Sequence, residues 1–238
     1  MSDSKSARVR RSLSHPVIDS DGHTIEFEPA VLDRLREIAG PGMVERYHRA
    51  GGDGMMQWRL GDAERRARRT VRSPFWVLPA ENTLDRATAQ LPRLFVSRFE
   101  ELGIDSSVLY PSMGLVSIAF EDDELRQATC RAFNAYHADL YREHAHWLTP
   151  AGIIPMHTPQ EAIAELDFAV GRWGIKAVMR GGAVPRPLPA AARISPEAAK
   201  LAFWVDTLGL DSAYDYDPVW RRCVELRVNP TFHTGSQG

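Results

Sequence analysis

Two acids and a histidine stand close together near the start of the chain, in Val17-Ile18-Asp19-Ser20-Asp21-Gly22-His23. The apolar opener predicts a strand, and strand side chains alternate faces. Asp21 and His23 therefore point the same way, with Gly22 opposite. A carboxylate oxygen beside an imidazole nitrogen at a strand end is half of a divalent-metal site, of the donor type that suits zinc or manganese. A second short strand, Val228-Asn229-Pro230-Thr231-Phe232-His233, ends on another histidine and runs into Thr234-Gly235-Ser236. One carboxylate and two neutral imidazoles would leave positions open on an ion, for a water of lowered pKa or for a substrate oxygen. The first use gives hydrolysis; the second polarises a substrate that loses carbon dioxide. A plainer reading also stands on the residues alone: Asp19 or Asp21 caps backbone amides at a strand-end turn, and His233 is a polar strand end.

Other polar residues follow strand ends. His157 lies directly after a predicted strand, where it can meet a substrate or cap a helix. Tyr110 and Arg180 occupy equivalent places, and Arg180 can pair with a substrate carboxylate. His137, His144 and His146 fall on one long helical pattern with no zinc-motif spacing, which predicts a solvated face. Ser236 lacks a nucleophile elbow around it. The basic run Arg65-Arg66-Ala67-Arg68-Arg69 has acids nearby and no interleaved aromatics, so it reads as a solvated helix rather than a nucleic-acid patch.

These residues need a frame, and the composition supplies one. With 238 residues, 44% hydrophobic and 25% charged, the chain can bury the core of one large domain. A net charge of -2 gives no electrostatic reason for a nucleic-acid or acidic-membrane partner. No run approaches the ~20 apolar residues of a membrane span. Cys130 and Cys223 stand far apart, without zinc-knuckle spacing or a disulfide framework, so a reducing, cytoplasmic setting is expected. Met1 to Arg11 is polar and basic with no apolar stretch behind it. Residues 1–15 are accordingly expected to be a disordered tail, not a secretory signal.

From residue 16 the pattern is strand, helix, strand, helix. Pro29–Ile38 spaces Val31, Leu32, Leu35 and Ile38 for one helical face. Residues 40–83 read as an irregular insertion, with an aromatic loop at 73–79 expected to cover a site. One helix is predicted over about 84–102, a strand over 104–111, and a long helix from 121 to about 147. A strand at 151–156 follows, then a helix from the Thr158-Pro159 cap to about Trp173. Strand 175–179 precedes a proline- and alanine-rich loop (185–196) and an ambiguous stretch to Tyr216. A helix from Asp217-Pro218 to Leu226 then leads to the last strand. Five short, near-continuously apolar strands separated by helices predict an α/β fold with a parallel sheet.

Ile18-Asp19-Ser20-Asp21-Gly22-His23 with Glu28-Pro29, Leu102-Gly103-Ile104-Asp105, Val108-Leu109-Tyr110-Pro111, Ile154-Pro155-Met156, Trp173-Gly174-Ile175-Lys176-Ala177-Val178 and Phe232-His233-Thr234-Gly235-Ser236 occur in an order that resembles the amidohydrolase-related family. That group includes aminocarboxymuconate semialdehyde decarboxylase and resorcylate-type decarboxylases. The resemblance spans roughly residues 16–238. It implies a (β/α)8 TIM barrel with one divalent metal, zinc first and manganese second, at the C-terminal ends of the strands. The family's first-strand ligands fall on Asp21 and His23, and its fifth-strand histidine falls on His233. Tyr110, His157 and Arg180 are then candidates to contact substrate. The family's sixth-strand histidine and eighth-strand aspartate have no counterpart here, so the catalytic residues are unassigned and the barrel is expected to be incomplete. The implied activity is a metal-dependent hydrolase or decarboxylase acting on a small carboxylic acid. The rival is a non-catalytic remnant or interaction module. Open sheet edges, presenting strands such as Val108-Leu109-Tyr110 and Ala177-Val178-Met179, predict self-association or a homo-oligomer.

Overall fold

The five apolar runs pair as one parallel sheet. A computed structural model describes residues 4–50, 61–68 and 82–233. Strands β1 (Ile18–Thr24), β2 (Ser106–Pro111), β3 (Leu148–Ile153), β4 (Ala177–Arg180) and β7 (Asn229–Phe232) lie side by side in the order β1-β2-β3-β4-β7. Each neighbouring pair is parallel, so helices must carry the chain back between strands. Strand β3 begins earlier than the sequence suggests, because Leu148–Pro150 pairs with Ser107–Leu109.

The strands expected to be open edges, Val108–Tyr110 and Ala177–Met179, are interior strands of this sheet. Its outermost strands are β1 and β7. A second, antiparallel pair joins β5 (Val184–Pro187) to β6 (Phe203–Asp206). Sequence reasoning missed this ribbon, because Pro185 and Pro187 alternate through β5. Proline is tolerated in a two-stranded edge but reads as loop.

The long helix Asp123–Tyr141 packs on β3 and on the helix Glu28–Ala39. Its N-terminus is capped by Asp122, whose side chain accepts from the Leu125 N–H at 3.1 Å, and Asp123 and Glu124 complement the helix dipole. Being covered on two sides, it buries Phe133, Asn134 and His137 completely. His137 is therefore not on a solvated face. Its Nε2 lies 3.5 Å from Oε1 of the equally buried Glu26. That carboxylate in turn accepts the backbone N–H groups of Ser112, Met113 and Gly114, tying the end of β2 to the segment after β1.

The helix expected over 84–102 is broken into Thr83–Thr88, Pro92–Ser97 and Phe99–Leu102. Leu91 is extended (φ -114°, ψ 104°), as the residue before a proline prefers, and Pro92 then opens the next turn. The helix after β3 starts on a complete capping box between Thr158 and Glu161. It runs as Pro159–Leu166 and widens into a π-turn over Asp167–Arg172 before Gly174 (φ +72°) ends it.

Residues 4–15 are not a disordered tail. Ser4 caps a helix Lys5–Arg11 that buries Ala7, and Arg10 grips Asp105 with two nitrogens (Nη2–Oδ1 2.9 Å) just before β2. Within 40–83, Pro41–Arg49 is a helix that seats Tyr47 against Phe120 and pairs Arg46 with Asp122 and Glu124. Asp62–Arg68 is a second helix. The covering loop expected at 73–79, and Ser236, lie outside the described residues. Among the described residues no helix is long and apolar enough to cross a membrane.

Candidate metal centre

A bulge in β1 sorts the two acids. Asp19 is level with Ser107 and Gly22 with Leu109, so Ser20 and Asp21 together oppose Val108 alone. Strict alternation would align Asp19, Asp21 and His23 on one face. The extra residue instead turns Asp19 to the Gly22 side, where its Oδ2 accepts from the Ser107 hydroxyl at 3.0 Å. Gly22 is tightly confined there: a Cβ would lie 2.4 Å from Ser107 Oγ and 2.7 Å from Asp19 Oδ2. With that face filled, Asp21 and His23 share the other.

His23 is level with Tyr110 on β2, and the His233 N–H extends the β4–β7 ladder by donating to the Arg180 carbonyl at 3.2 Å. The two histidines thus belong to opposite edges of a five-stranded sheet. In a flat sheet those edges would be about 19 Å apart, at roughly 4.8 Å per strand. Yet His23 Nε2 and His233 Nε2 are separated by 3.1 Å, and His233 Nε2 is 3.7 Å from Asp21 Oδ1. The sheet must therefore curl into an arc, with side chains from its two ends meeting across the inside.

One ligand atom from each of Asp21, His23 and His233 lies within 4.8 Å of the other two. Two nitrogens that bind one ion at about 2.0–2.2 Å, at right angles, sit roughly 3 Å apart. The observed His–His spacing fits a shared cation. Burial and the neighbouring His233 lower the pKa of His23, favouring the neutral imidazole that a metal requires, while Asp21 pulls weakly the other way. The Asp21 carboxylate is 78% exposed, which leaves the centre open on that side. The Tyr110 ring packs against both imidazoles, with centroids at 6.0 Å from His23 and 5.0 Å from His233.

The other two expected substrate contacts lie elsewhere. Arg180 is buried on the opposite side of β4, its guanidinium 3.6 Å from the Phe232 ring centroid and 4.6 Å from that of Trp220, with Nη1 donating to the Gly181 carbonyl. Burial lowers its pKa to about 10. His157 lines a cavity at the C-terminal ends of β3 and β4, with its backbone N–H held by Glu161. Sequence reasoning missed the Glu26–His137 pair altogether, although Glu26 continues the alternate spacing of Asp21 and His23 by only one extra residue.

No protein-family model and no curated protein matches this sequence. Solved structures do match its fold. An amidohydrolase from Mycobacterium avium subsp. paratuberculosis K-10 is similar with a TM-score of 0.56 and 21% identity, over 93% of this chain and 59% of its own. The 5-carboxyvanillate decarboxylase of Novosphingobium aromaticivorans DSM 12444, solved with bound manganese, is similar at 0.54 and 15% identity, over 92% of this chain and 51% of its own. The dihydroxybenzoic acid decarboxylase of Polaromonas sp. JS666, also solved with manganese, is similar at 0.51 and 18%, over 92% and 49%. This chain has their fold. It is a curled parallel half-barrel like part of each of these structures, spanning about half the length of the structures it matches.

Proposed function

We propose that this chain carries the cation-binding part of a metal-dependent hydrolase or decarboxylase acting on a small carboxylic acid. The observation that carries the proposal is the convergence of Asp21, His23 and His233 at the strand ends, from opposite edges of the sheet. Manganese in two of the similar structures favours a divalent cation, and supports manganese over the zinc that donor type alone suggests. A cation bound there supplies Lewis acidity toward a substrate oxygen or an activated water. The chain's own residues do the rest. His23 and His233 offer imidazole nitrogens, Asp21 adds the negative charge and stays open to solvent, and the Tyr110 ring limits how far either imidazole can rotate. The Arg180 guanidinium stacks on Phe232 and Trp220 instead of facing the cation ligands, which gives no support to a role for it in holding substrate. A cytoplasmic setting belongs to this proposal and is supported by two cysteines that are both free thiols.

Titration of manganese and zinc into the protein by calorimetry tests the reading. Saturable binding to one site is expected, weakened at least about tenfold by His23→Ala and by His233→Ala, as loss of a ligand should do. Equal affinity in both variants would sink the site. Carbon dioxide release from a panel of aromatic carboxylates, read beside ester cleavage, separates the two chemistries. Binding without turnover would favour the non-catalytic alternative.

A further inference from the structure

At the end of the sheet opposite the cation ligands, a cavity of about 170 Å³ opens beside the N-terminal ends of β3 and β4. It lies between the last turns of the helix Asp123–Tyr141 and the turn Trp173–Lys176 that leads into β4. Its floor is apolar: Leu148 is completely buried, Ile175 nearly so, and Pro150 joins them. Ala138 and Ala145 line it from the helix side and are small enough to leave the space open. Its mouth is cationic, because Arg142 and Lys176 are exposed there.

The charges decide what can enter. No carboxylate lines the cavity. Arg142 pairs with Asp139, one helical turn back, through Nη2, which leaves its Nε and Nη1 hydrogens free. Cations commonly gather where helices end, since the last carbonyls carry the negative end of the dipole. Lys176 donates to none of those carbonyls and pairs with no acid among the described residues, so helix capping does not account for it. The other polar groups of the wall are the hydroxyls of Tyr141 and Thr149 and the indole N–H of Trp173. Tyr141 already donates to the Thr24 hydroxyl at 2.6 Å, and the Trp173 N–H is buried without an acceptor. None of them carries a negative charge, and the indole can only donate. A guest that suits both parts has an apolar body on the floor and a negative head at the mouth.

We infer that this cavity is a second ligand site, taking a short-chain amphiphilic anion. The volume is close to the roughly 150 Å³ of an apolar cavity that accepts benzene, so the apolar body has about six carbons. It packs on Leu148 and Ile175, and a carboxylate or sulfonate head lies between Arg142 and Lys176. The inference does not rest on the cation reading, because Asp21, His23 and His233 lie at the other end of the strands and none lines this cavity.

Ligand-observed NMR with hexane-1-sulfonate, hexan-1-ol and hexylammonium tests it. The sulfonate should bind about three- to fivefold tighter than the alcohol, the worth of exposed charge contacts, and the ammonium should bind weakest. Its advantage should shrink in high salt. The double variant Arg142→Ala/Lys176→Ala should erase the preference for sulfonate while hexan-1-ol still binds, and Lys176→Arg should keep it. Ala145→Phe, a change at an exposed position, should fill the cavity and remove binding of all three. His23→Ala should bind the sulfonate as the parent does. Equal binding of sulfonate and alcohol by the parent protein, a preference that survives the double variant, or undiminished binding to Ala145→Phe would each overturn the inference. So would sulfonate binding that disappears with His23→Ala, which would assign it to the cation centre.

Discussion

Gly22 decides whether Asp21 and His23 can stand together. The space on its face of β1 is taken by Ser107 and Asp19, so Gly22→Ala must push the strand or Ser107 aside. We expect that variant to lose at least about tenfold in manganese affinity, with partial recovery in Gly22→Ala/Ser107→Gly, the interaction being read from the double-mutant cycle. Full affinity in the single variant would mean that Ser107 simply rotates away. His157 governs a different observable, the acid limb of stability. Its folded pKa of about 3 lies below the ordinary 6.5, so between those values the unfolded chain binds more protons. Stability should fall as pH drops through this window, by up to about 1.4 kcal/mol per pH unit from this group. Urea denaturation at pH 7.5 and 4.5 should show a smaller loss for His157→Gln; an identical loss would remove His157 from the account. At this scale the sequence is readable where side chains alternate, as for Asp21 and His23. It is unreadable where a bulge shifts the alternation, as at Asp19. The all-apolar start of β4, Ala177-Val178-Met179, has no polar face to mark the inside, so the orientation of Arg180 was hidden too.

Among the elements, the helix after β3 depends most on one residue. Glu161 closes the capping box with Thr158, receives the His157 N–H and forms a buried pair with Arg126, which is itself fully buried and also donates to the Phe120 carbonyl. Glu161→Ala would leave the buried guanidinium with only the largely exposed Asp123 as counter-charge, where breaking a buried pair outright typically costs about 3–5 kcal/mol. Chemical denaturation should show a loss of that order, and less than about 1 kcal/mol would mean that solvent reaches Arg126. The Thr158-Pro159-Gln160-Glu161 signature made this helix start legible, because capping is local chemistry. The five parallel strands were legible for a similar reason, as apolar runs between turn signals. Breaks such as Pro92 and the proline-bearing ribbon β5–β6 were not, since their meaning depends on partners distant in sequence. The burial of His137 is of that kind: periodicity along Asp123–Tyr141 does not reveal that the helix Glu28–Ala39 covers a second side.

The whole molecule is an arc of sheet whose two outer strands, β1 and β7, are each paired on one side only among the described residues. Ile18 on β1 and Phe232 on β7 are both largely exposed, and uncovered parallel edges of this kind template association. We expect the chain to self-associate, giving species larger than a monomer in sedimentation velocity. A single monomeric species across the concentration range would show that the edges are otherwise protected. The arc also has a consequence in time. His23 and His233 are 210 positions apart and touch only after every intervening strand has taken its place. Loop closure over such a span is entropically late, so the triad should be the last feature to assemble as the chain folds. Cation capture during refolding would then serve as a clock: in stopped flow, manganese uptake should lag the recovery of helical circular dichroism and coincide with the slowest folding phase.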